Sequence, residues 1–352
     1  MMLKVRNPQI KFLEKLTNTV AVSGDEGAVR KIVRAEIESL VDEIKVDTMG
    51  NLLATKRGKG KNNLNVMLAA HMDEVGFMLV NDAGEGLFEF TTIGGIDPRQ
   101  LAGKPVWIGK EQIPGVIGVG PIHLVEAGAL GKTVPVSALR IDVGPGKPNV
   151  RVGDRATFAT KFLRMGQSIR AKALDDRLGV AILIELLKNA PSNINLLAAF
   201  TVQEELGLRG AKIAAHTLDP DLALAIDSTP AFDLPMHDDR ENIRYNTKLG
   251  GGPAIYTVDR GTLSDPRIIR WLSETGDKEN IPYQYRQPGG GGTDAGAIHI
   301  SRAGIPTGSV SVPGRYAHTA MGLCRIRDWE NTLNLLHAAL CNLTPKLLEK
   351  PR

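Results

Sequence analysis

The sequence predicts an α/β protein in which a mixed sheet with helices on both faces is interrupted by an inserted small β-barrel-like module. Helix-type and strand-type hydrophobic periods alternate over residues 1–75 and again over 168–352. Between Gly76 and about Phe162 the texture changes to short β-like runs cut by glycine and proline, with no long amphipathic helix. The third sign is a set of apolar runs that end abruptly in polar residues, clearest at Ala198-Ala-Phe-Thr-Val-Gln-Glu-Glu-Leu-Gly-Leu-Arg-Gly210. A buried strand has no packing reason to stop at Glu204-Glu205, because an unpaired buried carboxylate is costly. Ligands of open α/β sheets collect at the carboxyl ends of strands, so a metal ion or a reactive water is expected there.

In chain order, helical apolar spacing covers about Gln9 to Thr17, and Ser23-Gly-Asp-Glu26 reads as a capping box opening a helix to about Val41. Glu43 to Val46, Asn51 to Lys56 and Leu64 to Ala70 read as strands, the first two joined at Thr48-Met-Gly-Asn51. The basic run Lys56-Arg-Gly-Lys-Gly-Lys61 reads as a solvated hairpin loop. Inside the insertion the expected strands are Phe77 to Val80, Leu87 to Thr91, Pro105 to Ile108, Gly115 to Val119, Ala138 to Val143 and Arg155 to Phe158. Beyond it, Asp175-Asp-Arg-Leu-Gly179 begins with acids suited to a helix N-terminus and continues as a very apolar helix to Leu187. A strand over Ile194 to Val202, a helix from Gly210 to His216 and a strand over Leu222 to Ile226 follow. Two strands flank Leu249-Gly-Gly-Gly252, and Ser264-Asp-Pro-Arg267 opens a further helix. A short helix after the Gly289 to Gly292 run, a strand over Ile305 to Val312 and a last helix from about Asp328 to Leu343 complete the chain. The domain reading is a discontinuous main unit, 1–75 and 168–352, around an inserted unit, 76–167.

Composition excludes several classes. At 352 residues, with a hydrophobic fraction of 42% and a charged fraction of 23%, the chain has a globular rather than disordered make-up and room for a large core. A net charge of +4 spread along the sequence gives no reason to expect nucleic acid or an anionic membrane as partner. Cys324 and Cys341 are too few for a disulfide framework. No apolar run reaches the roughly 18 residues of a membrane span, and the first residues lack a signal-peptide core. Cytoplasm is the expected compartment.

The polar residues at the edges of apolar runs are His71, Asp73, Asp175, Asp176, Glu204, Glu205, Asp227 and His318. Two imidazoles and several carboxylates make a nitrogen and oxygen donor set suited to zinc, cobalt or manganese. Strand alternation puts His71 and Asp73 on one side of an extended chain, where a carboxylate can orient a ligating imidazole. Each residue alone has an ordinary explanation: Asp175 and Asp176 as helix caps, Asp227 as a turn residue, His318 as a loop histidine. His123, His216, His237, His299 and His337 lack acidic partners in any such pattern. The Gly289 to Gly292 run lacks the Lys-Ser/Thr ending of a phosphate loop and reads as backbone room near a ligand, helped by Asp294.

The segments His71-Met-Asp-Glu-Val-Gly76, Ala173-Leu-Asp-Asp-Arg-Leu-Gly179, Gln203-Glu-Glu-Leu-Gly-Leu-Arg-Gly210, Ile226-Asp-Ser228, Gly291-Gly-Thr-Asp-Ala-Gly296 and Pro313-Gly-Arg-Tyr-Ala-His318 resemble, in order and over nearly the whole chain, the two-metal aminopeptidases that assemble as tetrahedral dodecamers. That family includes glutamyl and deblocking aminopeptidases, and some members carry a cellulase label. The resemblance implies a zinc-peptidase-like fold and cleavage of N-terminal residues from short peptides. It implies one ion on His71 and Asp227, another on Glu205 and His318, and Asp175 bridging both. It assigns Glu204 as general base, Asp73 as the orienting acid, and Asp176 a place beside the bridge, through a peptide often cis in such sites. It further implies a homododecamer built from dimers, with dimer contacts on the inserted module. One departure is His318-Thr-Ala-Met-Gly322, where relatives usually continue His-Ser-Pro-x-Glu. Alternatives on the same residues are a deacylase or amidohydrolase, a glycosidase using Glu204 and Glu205, and a catalytically silent shell subunit. The preferred terminal residue is not legible, with Arg209 or the loop after Leu249 as candidate contributors.

Overall fold

The computed structural model describes residues 2–60, 63–125, 128, 131–146, 149–234, 247–286 and 288–352. Along the strand Leu64–His71, Val66, Leu68 and Ala70 face one core while Met67 and Ala69 face another. The strand Ile194–Thr201 divides in the same way, with Leu196, Ala198 and Phe200 on one side and Leu197 and Ala199 on the other. Strands apolar on both faces must be covered on both. The first core is closed by the helices Asn7–Asn18, Gly27–Ile37, Leu174–Lys188, Pro266–Glu279 and Ile326–Asn342. The second is closed by Arg209–Leu218 and Ala295–Ile298.

Four parallel strands form the centre of the sheet, in the order Ile194–Thr201, Leu64–His71, Leu222–Pro230 and Thr307–Arg315. Antiparallel strands extend both sides: Leu52–Lys56 and Glu43–Val46 beyond the first, Gly322–Arg325, Ser168–Ala171 and Leu163–Met165 beyond the last. Ala254–Tyr256 pairs with Thr307–Arg315 and carries Gln284–Arg286 on its outer side. The expected mixed sheet with helices on both faces is therefore present. So is the expected small barrel: Gly76–Asp82, Leu87–Ile93, Arg140–Asp142, Ile113–Gly118, Pro105–Ile108 and Arg155–Phe158 close on one another in that order. Phe77 fills its interior, edge-to-face with Phe90 and Phe158 at centroid distances of 5.3 and 5.2 Å.

The sheet and the barrel are joined at a buried ion cluster. Glu74, just before the first barrel strand, accepts from Lys172 Nζ at 2.7 and 2.8 Å, from Thr157 Oγ1 of the last barrel strand at 2.9 Å and from the Ala21 amide at 3.0 Å. Arg177 lies 3.5 Å away. Burial pushes the Lys172 ammonium down to about 8, against the opposing pull of Glu74.

Two local expectations are corrected. The segment after Lys56 is not a hairpin, because Ile194–Thr201 lies between the two strands it connects; Lys61 is outside the described residues. Ser23 and Glu26 do not form a capping box: the helix Gly27–Ile37 starts without a side-chain cap and ends before Val41. The Ser23 hydroxyl donates to Asp73 instead, and Glu26 accepts from the amides of Gly24 and Gln203. Of the two strands expected around residues 249–252, the first falls outside the described residues. Among the described residues no helix is long and apolar enough to cross a membrane.

Candidate metal centre

The carboxyl ends of the central parallel strands deliver the polar residues to one place. His71 ends its strand and Asp73 follows; Glu204 and Glu205 follow Ile194–Thr201; Asp227 lies near the end of Leu222–Pro230; His318 follows Thr307–Arg315. Asp175 and Asp176 enter from the start of the helix Leu174–Lys188, whose N-cap Ala173 is left-handed and whose Asp175-Asp176 peptide is cis.

Asp175 sits at the middle. Its Oδ1 is 3.2 Å from His71 Nε2 and its Oδ2 is 3.4 Å from His318 Nε2. His71 Nε2 is 3.7 Å from Asp227 Oδ1, and His318 Nε2 is 3.4 Å from Glu205 Oε1. Two donors sharing a tetrahedral ion at about 2.0–2.1 Å stand roughly 3.3 Å apart, so these separations are those of coordination-polyhedron edges. Donor atoms within 4.8 Å of one another form three overlapping groups: His71, Glu204 and Glu205; His71, Asp176 and Asp227; and Asp175, Glu205 and His318. Asp176 is buried, with Oδ1 accepting from the Gly179 amide at 2.9 Å as a helix cap and Oδ2 unpaired.

Asp73 holds the frame. Its Oδ1 accepts from the Glu204 amide at 3.1 Å and lies 3.5 Å from His71 Nδ1; its Oδ2 accepts from the Glu205 amide at 3.2 Å and from Ser23 Oγ at 2.6 Å. On the opposite side, His318 Nδ1 is 2.9 Å from the carbonyl of Gly95, which follows the barrel strand Leu87–Ile93. Gly94 before it has φ +82°, and a Cβ there would stand 2.7 Å from Val75 Cγ1 and 3.3 Å from Glu205 Cβ.

The electrostatics call for a cation. Burial, reinforced by the like charges of Asp227 and Glu205, drives the Glu204 carboxyl well above its ordinary value. Burial takes Glu205 up to about 8, and burial with the charge of Asp175 takes Asp227 up to about 7. Asp175 goes the other way: burial would raise it, but hydrogen bonds from His318 and His71 hold it well below the carboxylate range. Against burial, the hydrogen bond to Asp175 and the charge of Glu205 lift His318 to about 10. So many buried carboxylates are costly unless a positive charge sits among them. Two imidazoles and hard oxygens, with no thiolate in reach, fit a divalent ion of the zinc, cobalt or manganese type.

Every residue predicted for the site is thus in one cluster. His216 and His299 belong to none of the donor groups, and neither do His123 and His337; His237 is outside the described residues. Ser23 and the Gly95 carbonyl were not foreseen as parts of the centre. Ser23 was readable only as a cap, and a backbone carbonyl leaves no mark in a sequence. A cleft of about 700 Å³ opens over the centre, lined also by Leu208, Tyr256, Arg260, Arg286 and Gly290 to Gly292. The glycine run thus lies along the cleft. The two suggested specificity contributors do not: Arg209 donates to Gln203 Oε1, and the amides of Gly250 and Gly252 are tied to Asp328.

Residues 50–335 match the family model described as M42 glutamyl aminopeptidase. The chain belongs to the M42 family. It is 32% identical to the glutamyl aminopeptidase of Lactococcus lactis over 356 residues, covering 96% of this chain and 97% of the relative. It is equally 32% identical, over 348 residues, to the lysyl aminopeptidase of Pyrococcus furiosus, covering 95% and 97%. Among solved structures, an aminopeptidase from the archaeon Desulfurococcus kamchatkensis superimposes with a TM-score of 0.91 at 34% identity, covering 97% of each chain. The TET1 peptidase of Pyrococcus horikoshii, described as able to assemble into a tetrahedron or a large octahedral shell, gives 0.82 at 33%, covering 95% of this chain and 100% of that one. This M42 protein is a peptide hydrolase, and M42 relatives at equal identity are named for opposite terminal charges.

Proposed function

We propose that this M42 protein is a two-metal aminopeptidase that removes N-terminal residues from short peptides. The observation that carries the reading is the placement of Asp175, whose two oxygens face two separate imidazole–carboxylate pairs. One ion would be held by His71, Asp227 and Asp175, the other by His318, Glu205 and Asp175. Bound there, the ions supply Lewis acidity to the scissile carbonyl, a lowered pKa for the attacking water and an anchor for the free α-amine. The Glu204 carboxylate takes the proton of the attacking water and returns it to the leaving amine. Asp73 fixes Glu204 and Glu205 through their amides and orients His71, so the proton acceptor is held in place before substrate arrives. Glu204 and Glu205 both stand within donor distance of His71; of the two, Glu205 is given to the metal and Glu204 to the proton.

By likeness to the TET1 peptidase, the working form is a homododecamer, with the barrel supplying dimer contacts. Cytoplasm is the proposed compartment, supported by Cys341, an exposed cysteine in no disulfide.

The test is chelation followed by reloading. Metal-stripped protein is expected to lose cleavage of free-amine aminoacyl anilides and to regain it with two equivalents of zinc, cobalt or manganese per subunit. Glu204→Gln is expected to lower kcat by about 10²–10⁴-fold, with metal content by elemental analysis unchanged. Wild-type turnover in that variant would remove Glu204 as the base. Preference for acylated over free amines would make the same centre a deacylase.

A further inference from the structure

The turn that carries Glu204 is held by its backbone. Just past the strand Ile194–Thr201, four consecutive amides each donate to a side chain from another part of the chain. Val202 donates to Asn51 Oδ1 at 3.0 Å, Gln203 to Glu26 Oε1 at 3.2 Å, and Glu204 and Glu205 to the two oxygens of Asp73. Each of these N–H groups would otherwise need water or a neighbouring strand. Within the same turn Gln203 has φ +53° and Leu208 φ +58°, left-handed for residues other than glycine. Such a backbone persists where its surroundings over-determine it.

Asn51 closes the turn at both ends. Fully buried just ahead of the strand Leu52–Lys56, it accepts from the Val202 amide and donates from Nδ2 to the Gly210 carbonyl at 3.0 Å. The Gly210 amide in turn donates to the Val202 carbonyl at 3.0 Å. A Cβ on Gly210 would run into Asn51 Oδ1 and the Val202 carbonyl, so this close approach depends on the glycine. Asn51 is itself set by Asp47, whose Oδ2 accepts from its Nδ2 at 2.7 Å and whose Oδ1 accepts from the amides of Met49, Gly50 and Asn51. Glu26 is also buried, and its Oε1 takes the Gly24 amide at 2.6 Å beside that of Gln203. Among the described residues neither Asn51 nor Glu26 belongs to a donor group of the metal centre. Their link to it runs through the backbone of the turn.

Resting on the aminopeptidase reading, we infer that Asn51 and Glu26 are positioning residues for Glu204, holding the turn 202–210 in the backbone that presents this carboxylate to the attacking water. A general base must stand within hydrogen-bond reach of the proton it takes, and a misplacement of about 1 Å can cost a large part of the rate. An interaction made only in the transition state shows in kcat and leaves KM alone.

The experiment measures kcat and KM on an aminoacyl p-nitroanilide for metal-loaded wild type, Asn51→Ala, Glu26→Met and Glu26→Gln. Glutamine keeps an oxygen that can accept both amides; methionine keeps the length and loses the acceptor. Asn51→Ala and Glu26→Met are each expected to lower kcat by about 10–100-fold, with KM and metal content by elemental analysis unchanged. Glu26→Gln is expected to keep wild-type kcat. In metal-free protein, hydrogen exchange over residues 202–210, read by mass spectrometry, is expected to be faster in Asn51→Ala and Glu26→Met than in wild type and Glu26→Gln. Should Asn51→Ala fail to fold by circular dichroism, the two Glu26 variants decide. Wild-type kcat in Glu26→Met overturns the inference, and so does a Glu26→Gln protein that loses as much as Glu26→Met. A kcat that falls only in step with bound metal overturns it too, because the turn would then serve metal retention. If metal-loaded wild type cleaves no free-amine substrate, the aminopeptidase reading fails and takes the positioning role with it; if wild type cleaves and the variants turn over alike, the positioning role fails alone.

Discussion

Asp73 shows how much one side chain can fix. Four groups meet its two oxygens: the amides of Glu204 and Glu205, the Ser23 hydroxyl and the ring of His71. Burial would raise its pKa, but these contacts outweigh burial and hold it below the ordinary aspartate value. In Asp73→Asn one oxygen becomes an NH₂ that faces another donor. We expect metal affinity to fall about 10–100-fold, read by competition with a fluorescent chelator, with a smaller loss for Ser23→Ala. The donor residues were legible in the sequence because they stand at the edges of apolar runs and occur together in the order of the family the chain resembles, although each alone has an ordinary explanation. Their supports were not. Ser23 acts across 50 residues of chain, and Gly95 acts through its carbonyl, so neither carries a local pattern.

At the scale of elements, long periodic segments were legible and short edge strands were not. The strands Leu64–His71 and Ile194–Thr201 announce two buried faces. Leu163–Met165, by contrast, is exposed throughout and exists because it pairs with Ser168–Ala171, which no local propensity encodes. The supposed hairpin at Lys56 failed for a related reason: a parallel strand from far along the chain inserts between its arms. The junction of sheet and barrel rests on Glu74, Lys172 and Arg177. Removing one partner of a buried ion cluster leaves charge uncompensated, so Glu74→Gln is expected to cost about 3–5 kcal/mol at neutral pH. The cations outweigh burial and hold the Glu74 carboxyl below its ordinary value. Its contribution is therefore present above the unfolded-state pKa and lost as pH falls through the folded one. Urea denaturation of both proteins should show the difference narrowing below about pH 4.

At the scale of the whole molecule, the sheet positions chemistry and the barrel offers surface. Ile122 and Leu124, in the barrel segment of the chain, stand two residues apart and are 75% and 76% exposed. We expect sedimentation velocity to find the wild type as a large assembly, and Ile122→Asp with Leu124→Asp to shift it toward smaller species. Unchanged sedimentation would place the contacts elsewhere. The barrel's rim also carries the carbonyl that steadies His318. Grafting a foreign barrel onto this scaffold would accordingly be a kinetic experiment as much as an architectural one. A hybrid whose rim sat an ångström away would keep its whole complement of donors and assemble normally, yet leave one imidazole free to turn from the Asp175 and Glu205 oxygens it faces.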